Sequence, residues 1–124
     1  FDFAKEHMKT DTPVEVFANV ARRRIILKAG EIFPAHSHNY AHAHVLVIGK
    51  LRAKIIVGGD VVSDREYEAP AMFELPAVGE HELHGVTDCE GWCVFAVRDE
   101  DGGVVYEPTD AQRNDYRWSQ AVIK

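Results

Sequence analysis

The feature of this sequence that most constrains its fold is a strand-turn-strand pattern in the middle of the chain. Side chains along His42–Ile48 alternate between two faces with the period of a β-strand. One face would carry Ala43, Val45 and Val47, and the other His42, His44, Leu46 and Ile48. Gly49 and Lys50 then supply turn residues, and residues 51–57 return as a second β-rich run. The pattern predicts an antiparallel hairpin.

Similar β-rich runs flank this hairpin, and turn residues separate them. We interpret residues 14–20, 24–28, 61–67, 71–75, 81–86 and 92–97 as strands, and residues 88–91 as a turn. Helical periodicity is missing until the tail, where Thr109 and Gln112 have the spacing of a capping box. A helix there would turn Tyr116, Trp118 and Val122 towards the body. Eight or nine short strands with one late helix predict an all-β sandwich or small barrel.

Composition narrows the class of protein. The length of 124 residues suits one domain, and no apolar run approaches the roughly 20 residues of a membrane span. Fourteen basic against 20 acidic residues give a net charge of −6, which argues against nucleic-acid binding. The arginines at 22–24 are interpreted as charges at a strand entrance. Cys89 and Cys93 have neither the spacing of a useful disulfide nor that of a zinc knuckle, so we expect a reduced, cytoplasmic protein.

Four of the seven histidines fall within nine residues. His36, His38, His42 and His44 all occupy even positions, so each pair would project to one face of its strand. If the chain crosses over between the pairs, imidazoles from two adjacent strands converge inside the barrel. Neutral imidazoles are ligands for Fe, Mn, Ni, Cu or Zn, and we predict one such divalent ion. The alternative is a histidine-rich exposed loop, or core histidines satisfied by hydrogen bonds.

This segment resembles the first motif of the cupins. The spacing is Gly30, five residues, His36, one residue, His38, three residues, His42, six residues, Gly49, with histidine at 42 where most cupins have glutamate. A weaker second motif is similar at Pro76 and His81, although both of its glycines are replaced. The resemblance spans about residues 14–97 and implies a cupin-type jelly-roll barrel with a metal in its mouth. The expected division is an extension at 1–13, the barrel at 14–107 and a short helical or irregular tail at 108–124.

The resemblance also implies the ligand set His36, His38, His42 and His81. His84 competes with His81, and because they lie three residues apart on a strand only one of them can face inwards. His44 would lie one pleat deeper than His42, within reach of a ligand or bound substrate. Tyr40 lies between the two histidine pairs and is expected over the mouth; His44 and Tyr40 are the candidate catalytic residues.

The expected function is that of a metal-binding cupin acting on a small, oxygen-rich organic molecule. The leading hypothesis is a metal-dependent enzyme, either of the dioxygenase type or an isomerase or lyase. The alternative is a non-catalytic, small-ligand-binding cupin whose metal is structural or orients the ligand. We expect a homodimer, because small jelly rolls expose strand edges, and neither a nucleic-acid nor a membrane partner.

Overall fold

The computed structural model describes residues 14–36, 40–99 and 101–119, with side chains except those of His36 and residues 115–119. These ranges contain nine strands and one helix. The strands are β1 (Glu15–Phe17), β2 (Val20–Leu27), β3 (Ile32–His36), β4 (His42–Ile48), β5 (Lys50–Val57), β6 (Asp60–Glu68), β7 (Ala71–Leu75), β8 (Glu80–Gly85) and β9 (Cys89–Ala96). The helix is α1 (Asp110–Ser119).

The nine strands of the described ranges form two antiparallel sheets. One has the order β1-β2-β9-β4-β7 and the other the order β3-β8-β5-β6. The chain changes sheet at most of its connections, which is the organisation of a jelly roll, so that neighbours in sequence often face each other across the core. The all-β jelly-roll prediction is confirmed. The antiparallel hairpin predicted for residues 42–57 was wrong, because β4 pairs with β7 and β9 whereas β5 pairs with β6 and β8. No helix within the described residues is long and apolar enough to cross a membrane.

The core lies between the inner faces of the two sheets. As the alternation predicts, His42, His44 and Leu46 of β4 are buried, whereas Val47 is 45% exposed. The strands that face β4 contribute apolar side chains from alternate positions. The buried core side chains include Ile25, Leu27, Phe33, Leu46, Leu51, Phe73, Leu75, Leu83 and Cys93. At one side of the barrel Tyr67 stacks on Phe73, with ring centroids 3.9 Å apart.

A glycine is required where β4 turns into β5. Gly49 has φ +84°, a conformation that residues with a Cβ rarely adopt. A Cβ at this position would also overlap the Asp88 carbonyl oxygen and lie 2.9 Å from both Cα and Cβ of Cys89. The turn therefore needs glycine both for its backbone conformation and for the close approach of the chain before β9.

Two strand predictions near the ends of β2 and β9 were wrong. Residues 14–20 do not form one strand, because the chain turns at Ala18, with φ +51°, and Val20 already begins β2. The predicted turn at residues 88–91 lies largely inside β9, which starts at Cys89 and pairs with both β2 and β4. Two flanking strands supply hydrogen bonds to this segment, and that partnership outweighs the local turn propensity of its residues.

The capping box predicted for the tail is present at the start of α1. The Thr109 backbone N–H donates to Gln112 Oε1 at 2.8 Å, and the Gln112 N–H donates to Thr109 Oγ1 at 3.1 Å. The inward side chains expected at Tyr116, Trp118 and Val122 lie outside the described part of the chain, as do the predicted extension at 1–13 and residues 120–124. Those expectations stay predictions.

Candidate metal centre

Two of the predicted ligands, His42 and His81, face each other across the barrel. His42 is on β4 of the five-stranded sheet and His81 is on β8 of the four-stranded sheet. Their side chains are 6% and 1% exposed, and their ring centroids lie 5.2 Å apart. The strand period explains both positions, because His42 precedes the inward His44 by two residues and His81 precedes the inward Leu83 by two.

Of the other two predicted ligands, His36 is the last residue of β3. The Cα of His36 is in register with that of His81 on the neighbouring strand β8. The side chain of His36 and the whole of His38 lie outside the described residues. The expectation of adjacent strands was wrong for His36 and His42, because β3 belongs to the four-stranded sheet and β4 to the five-stranded sheet.

His84, the alternative to His81, is on the other face of β8. Its Nε2 atom lies 2.5 Å from Glu82 Oε1, and both side chains are about a quarter exposed. His81 and Leu83 are buried on the inner face, so the alternation of β8 turns His84 outwards. Of these two histidines, only His81 is placed beside His42.

His44 lies one pleat deeper in the barrel than His42. It is 1% exposed, its ring stacks on Phe73 at 5.1 Å, and its Nδ1 atom is 3.5 Å from Cys93 Sγ. Burial lowers the pKa of His44 from its ordinary value to about 4, so its imidazole is neutral at pH 7. His44 can therefore form a hydrogen bond with Cys93, but its imidazole carries no positive charge at neutral pH.

Tyr40, the second candidate catalytic residue, lies where the chain enters β4. Its ring centroid is 6.4 Å from that of His42 and 5.9 Å from that of Phe95. The guanidinium carbon of Arg98 lies 4.6 Å from the centre of the Tyr40 ring. Tyr40 thus stands beside His42 at the end of the barrel where β4 begins and β9 ends.

Arg23 is a residue of this region that the sequence interpretation missed. β2 begins before the three arginines, and its buried side chains are Ala21, Ile25 and Leu27. Arg23 has the same parity and so belongs to the inner face of β2. Extending the pattern of Ile25 and Leu27 backwards by one step would have found it.

The two neighbouring arginines face outwards and have partners there. The guanidinium carbon of Arg22 lies 3.9 Å from the centre of the Trp92 ring, and Arg24 Nη2 is 2.6 Å from Glu90 Oε1. The run of arginines is therefore split between the two faces of one strand.

The electrostatic surroundings of Arg23 are those of the barrel interior. Its Cα is in register with that of Cys93 on β9, and Cys93 is in turn in register with His44 on β4. Burial lowers the pKa of the Arg23 guanidinium, while the nearby Cys93 thiol and Tyr40 phenol act in the opposite direction. The guanidinium remains a cation at neutral pH, because its ordinary pKa is so high.

The described histidines fit a transition-metal site. Two imidazoles that bind one ion at about 2.0–2.2 Å have ring centres roughly 5 Å apart, which matches the pair formed by His42 and His81. Among the described side chains no three His, Cys, Asp or Glu groups are placed to hold an ion. The described ranges thus supply two donors, and the set of four stays a prediction.

A cavity adjoins His42 on the β7 side of the strand. Its volume is about 390 Å³, and its lining consists of Ala41, His42, Ala43, Met72, Phe73 and Glu74. This volume is within the range of small-molecule sites. Glu74 is exposed at its rim, as its alternation in β7 predicts.

Comparison with solved structures places this architecture in a known fold. A cupin-2 domain protein from Shewanella frigidimarina superposes with a TM-score of 0.54 at 13% identity, covering 66% of this chain and 74% of the other. An RmlC-like cupin from Desulfovibrio desulfuricans gives a TM-score of 0.55 at 24% identity, with 68% and 77% covered. The protein has a cupin fold. No protein-family model and no curated protein sequence matches this chain.

The cupin barrel is also similar to part of a larger enzyme. Oxalate decarboxylase from Bacillus subtilis, studied for its Mn(II) centres, superposes with a TM-score of 0.56 at 23% identity. The match covers 64% of this chain but 21% of the decarboxylase chain. The matched part of this chain therefore corresponds to about a fifth of that enzyme.

Proposed function

We propose that this cupin binds one divalent transition metal through His36, His38, His42 and His81 and acts with it on a small, oxygen-rich organic molecule. The observation that carries the proposal is the approach of His42 and His81, two buried imidazoles from opposite sheets whose ring centroids are 5.2 Å apart. Two further features support it: the backbone of His36 is in register with His81, and a decarboxylase with Mn(II) centres has the same fold.

The protein's own residues would hold and surround the ion. A set of four neutral imidazoles leaves the charge of the ion uncompensated, so that a bound metal would act as a Lewis acid towards an anionic or enolic oxygen. Phe95 packs 6.1 Å from His42 and limits water on that side, while Tyr40 presents a phenol beside the ligand. In this proposal Tyr40 would be a polar neighbour of a molecule held at this end of the barrel.

A second candidate function is metal-dependent ligand binding without a reaction. The observation that favours it is that His44, the deeper histidine, is buried against Phe73 and Cys93, so that of the two candidate catalytic residues only Tyr40 has its ring beside that of His42. The two functions differ in a direct way. Catalysis requires turnover of a bound molecule that depends on the metal, whereas the binding function requires affinity alone.

The proposal is tested by elemental analysis of the purified chain by plasma mass spectrometry. We expect near-stoichiometric Fe, Mn, Ni, Cu or Zn in the wild type and at least a tenfold lower content in His81→Ala, because one donor of the set is removed. His84→Ala is the matched control: it removes a histidine from the same strand but from the outer face, and it should keep the wild-type content.

Two results would contradict the site. Full metal content in both His42→Ala and His81→Ala would mean that the ion binds elsewhere. Loss of the metal in His84→Ala together with its retention in His81→Ala would show that the ligand on β8 is His84 and not His81. Circular dichroism of each variant separates loss of a ligand from loss of the fold.

A further inference from the structure

The outer face of the five-stranded sheet is mostly apolar, unlike the outer face of the other sheet. On the four-stranded sheet, β5, β6 and β8 carry charged outward side chains such as Arg52, Asp64 and Glu82. On the five-stranded sheet, outward side chains include Val47 and Met72, which are 45% and 74% exposed. Single exposed apolar residues are ordinary, but a continuous apolar patch marks an interaction site.

The strand register arranges this apolar face into rows. Two rows of outward side chains cross β2, β9, β4 and β7 in that order. The first consists of Arg22, Val94, Ala43 and Glu74, and the second of Arg24, Trp92, Val45 and Met72. The apolar members of the two rows form one continuous outer patch. This outer patch is bordered by arginines on β2 and by a carboxylate on β7.

The charged ends of the first row are beyond each other's reach within one chain. Arg22 and Glu74 are three strands apart, roughly 14 Å across the sheet. Arg22 Nη2 lies 3.3 Å from Glu15 Oε2, and its Nε is buried without a hydrogen-bond partner in the described part of the chain. Glu74 is exposed, and none of the ion pairs among the described residues involves it. Both groups can therefore accept a partner from outside.

A second copy of the chain can satisfy both ends at once. Two sheets that pack face to face keep their strands nearly aligned, and a two-fold axis makes one surface meet itself. If this axis runs parallel to the strands, midway between β4 and β9, β2 faces the partner's β7 and β4 faces the partner's β9. Each row then meets its own copy in reverse order. Arg22 lies opposite the partner's Glu74, and Ala43 lies opposite the partner's Val94.

The cavity beside β4 fits the same arrangement. Its outward lining consists of Ala41, Ala43, Met72 and Glu74. The two alanines leave a recess in the sheet face because their side chains are small. The partner's Val94 would lie over this recess, so that a larger side chain meets the smallest ones of the face, which is the shape complementarity expected of an interface.

The charges select this axis over the other two-fold arrangements. An axis perpendicular to the strands would set the arginines of β2 opposite the same arginines of the partner. An axis along β9 would set Glu15 opposite the partner's Glu74. Like charges opposite each other disfavour both arrangements. With the axis between β4 and β9, β1 and the helix α1 that packs beside it extend past the partner's β7, so the helix leaves the contact open.

We propose that the protein forms a homodimer through the outer face of its five-stranded sheet, with Arg22 paired to the partner's Glu74. The two-fold axis runs parallel to the strands between β4 and β9, and the outer patch of each copy is buried against that of the other. This interface is a sheet face, whereas the homodimer expected from the sequence rested on strand edges. The inference goes beyond the proposed function and does not depend on a metal.

The test is sedimentation velocity of the full chain over about 1–100 µM. We expect the wild type to reach twice the 13.9 kDa of one chain. Met72→Lys sets a cation opposite the partner's Arg24 and should raise the dissociation constant at least about tenfold. Val62→Lys is the matched control, because it adds the same charge at a 61% exposed position of β6 in the other sheet. It should stay within about twofold of the wild type.

Mixing two charge-reversed variants tests the axis itself. Arg22→Glu alone and Glu74→Arg alone each create two like-charge contacts in a homodimer and should weaken it at least about tenfold. In an equimolar mixture, a heterodimer of the two variants has opposite charges at both contacts, and its dissociation constant should return to within about threefold of the wild type. A merely structural effect of either substitution would not be rescued by mixing.

Four results would overturn the proposal. They are a wild type that stays monomeric over the whole range, a dimer unaffected by Met72→Lys, equal weakening by Val62→Lys, and folded variants that fail to associate when mixed. Circular dichroism checks the fold of each variant. Should Arg22→Glu not fold, Glu74→Arg against Glu74→Gln decides: stronger weakening by the arginine supports a cation opposite position 74, and equal affinities overturn it.

Discussion

Gly49→Ala is expected to lower the free energy of unfolding by about 2–5 kcal/mol, a large share of the stability of a small domain. Two effects add at this position. The backbone has φ +84°, and the new Cβ would overlap the Asp88 carbonyl oxygen, which belongs to the main chain and cannot rotate away. The measurement is equilibrium denaturation in urea, followed by tryptophan fluorescence, with the m-value checked for constancy.

Gly59→Ala is the matched control for this prediction. Gly59 has φ +85°, nearly the same as Gly49, but a Cβ there would have no heavy atom within 4 Å. The control should therefore show only the backbone effect, about 1–2 kcal/mol. An equal loss in the two variants would mean that the close approach between the β4-β5 turn and the start of β9 contributes nothing to the effect of Gly49→Ala, and it would contradict the prediction.

Native Cys89 and Cys93 are expected to react with iodoacetamide at least about a hundredfold more slowly than in urea at pH 8. Burial raises the pKa of the Cys93 thiol to about 12, against a smaller opposing effect of Arg23, and raises that of Cys89 to about 11. At pH 8 both cysteines are therefore almost entirely in the unreactive thiol form. Cys89 is 5% exposed and Cys93 is 7% exposed. Tandem mass spectrometry would locate the label on each cysteine.

The Gly49 variants provide a local control for the cysteine experiment. A Cβ at position 49 would lie 2.9 Å from Cα and Cβ of Cys89, whereas Cys93 is farther along β9. Gly49→Ala should therefore accelerate labelling of Cys89 more than that of Cys93. In Gly59→Ala the labelling rate of each cysteine should change no more than the lower stability of the variant explains. Rapid labelling of both cysteines in the wild type would show that the barrel interior is open to reagent.

Much of the fold could be predicted from the alternation of apolar and polar residues. The strands β4 and β5 and the glycine turn between them were predicted correctly, but the hairpin was not, because the two strands belong to different sheets. The inward positions of His42 and His44 follow from the period of β4. The rule that places His81 and His84 on opposite faces of β8 also holds. In each case one face of the strand is buried, so a shift of one residue would be costly, and the register is readable from the sequence.

The sequence predictions that were wrong, and the residue that was missed, also have physical causes. The turn at Ala18 is not indicated by a Gly or Pro in the sequence, because alanine itself adopts the positive φ there. Arg23 was missed because a charged residue on an inner face contradicts the average preference for exposed arginine. The placement of β3 and β4 in different sheets depends on pairing between distant segments, which no local pattern encodes.

The order of strands in the larger sheet has a consequence for how the chain is made. β9, the last strand in the described part of the chain, lies between β2 and β4 at the centre of its sheet. Until the ribosome has released β9, the facing edges of β2 and β4 have unpaired backbone groups, and such edges attract other chains. His42 and His44 also lack the wall that Phe95 and Cys93 later provide. A nascent chain therefore needs protection, or fast synthesis, between the completion of β4 and that of β9. The surroundings of His42 and His44 are complete only when β9 has been inserted.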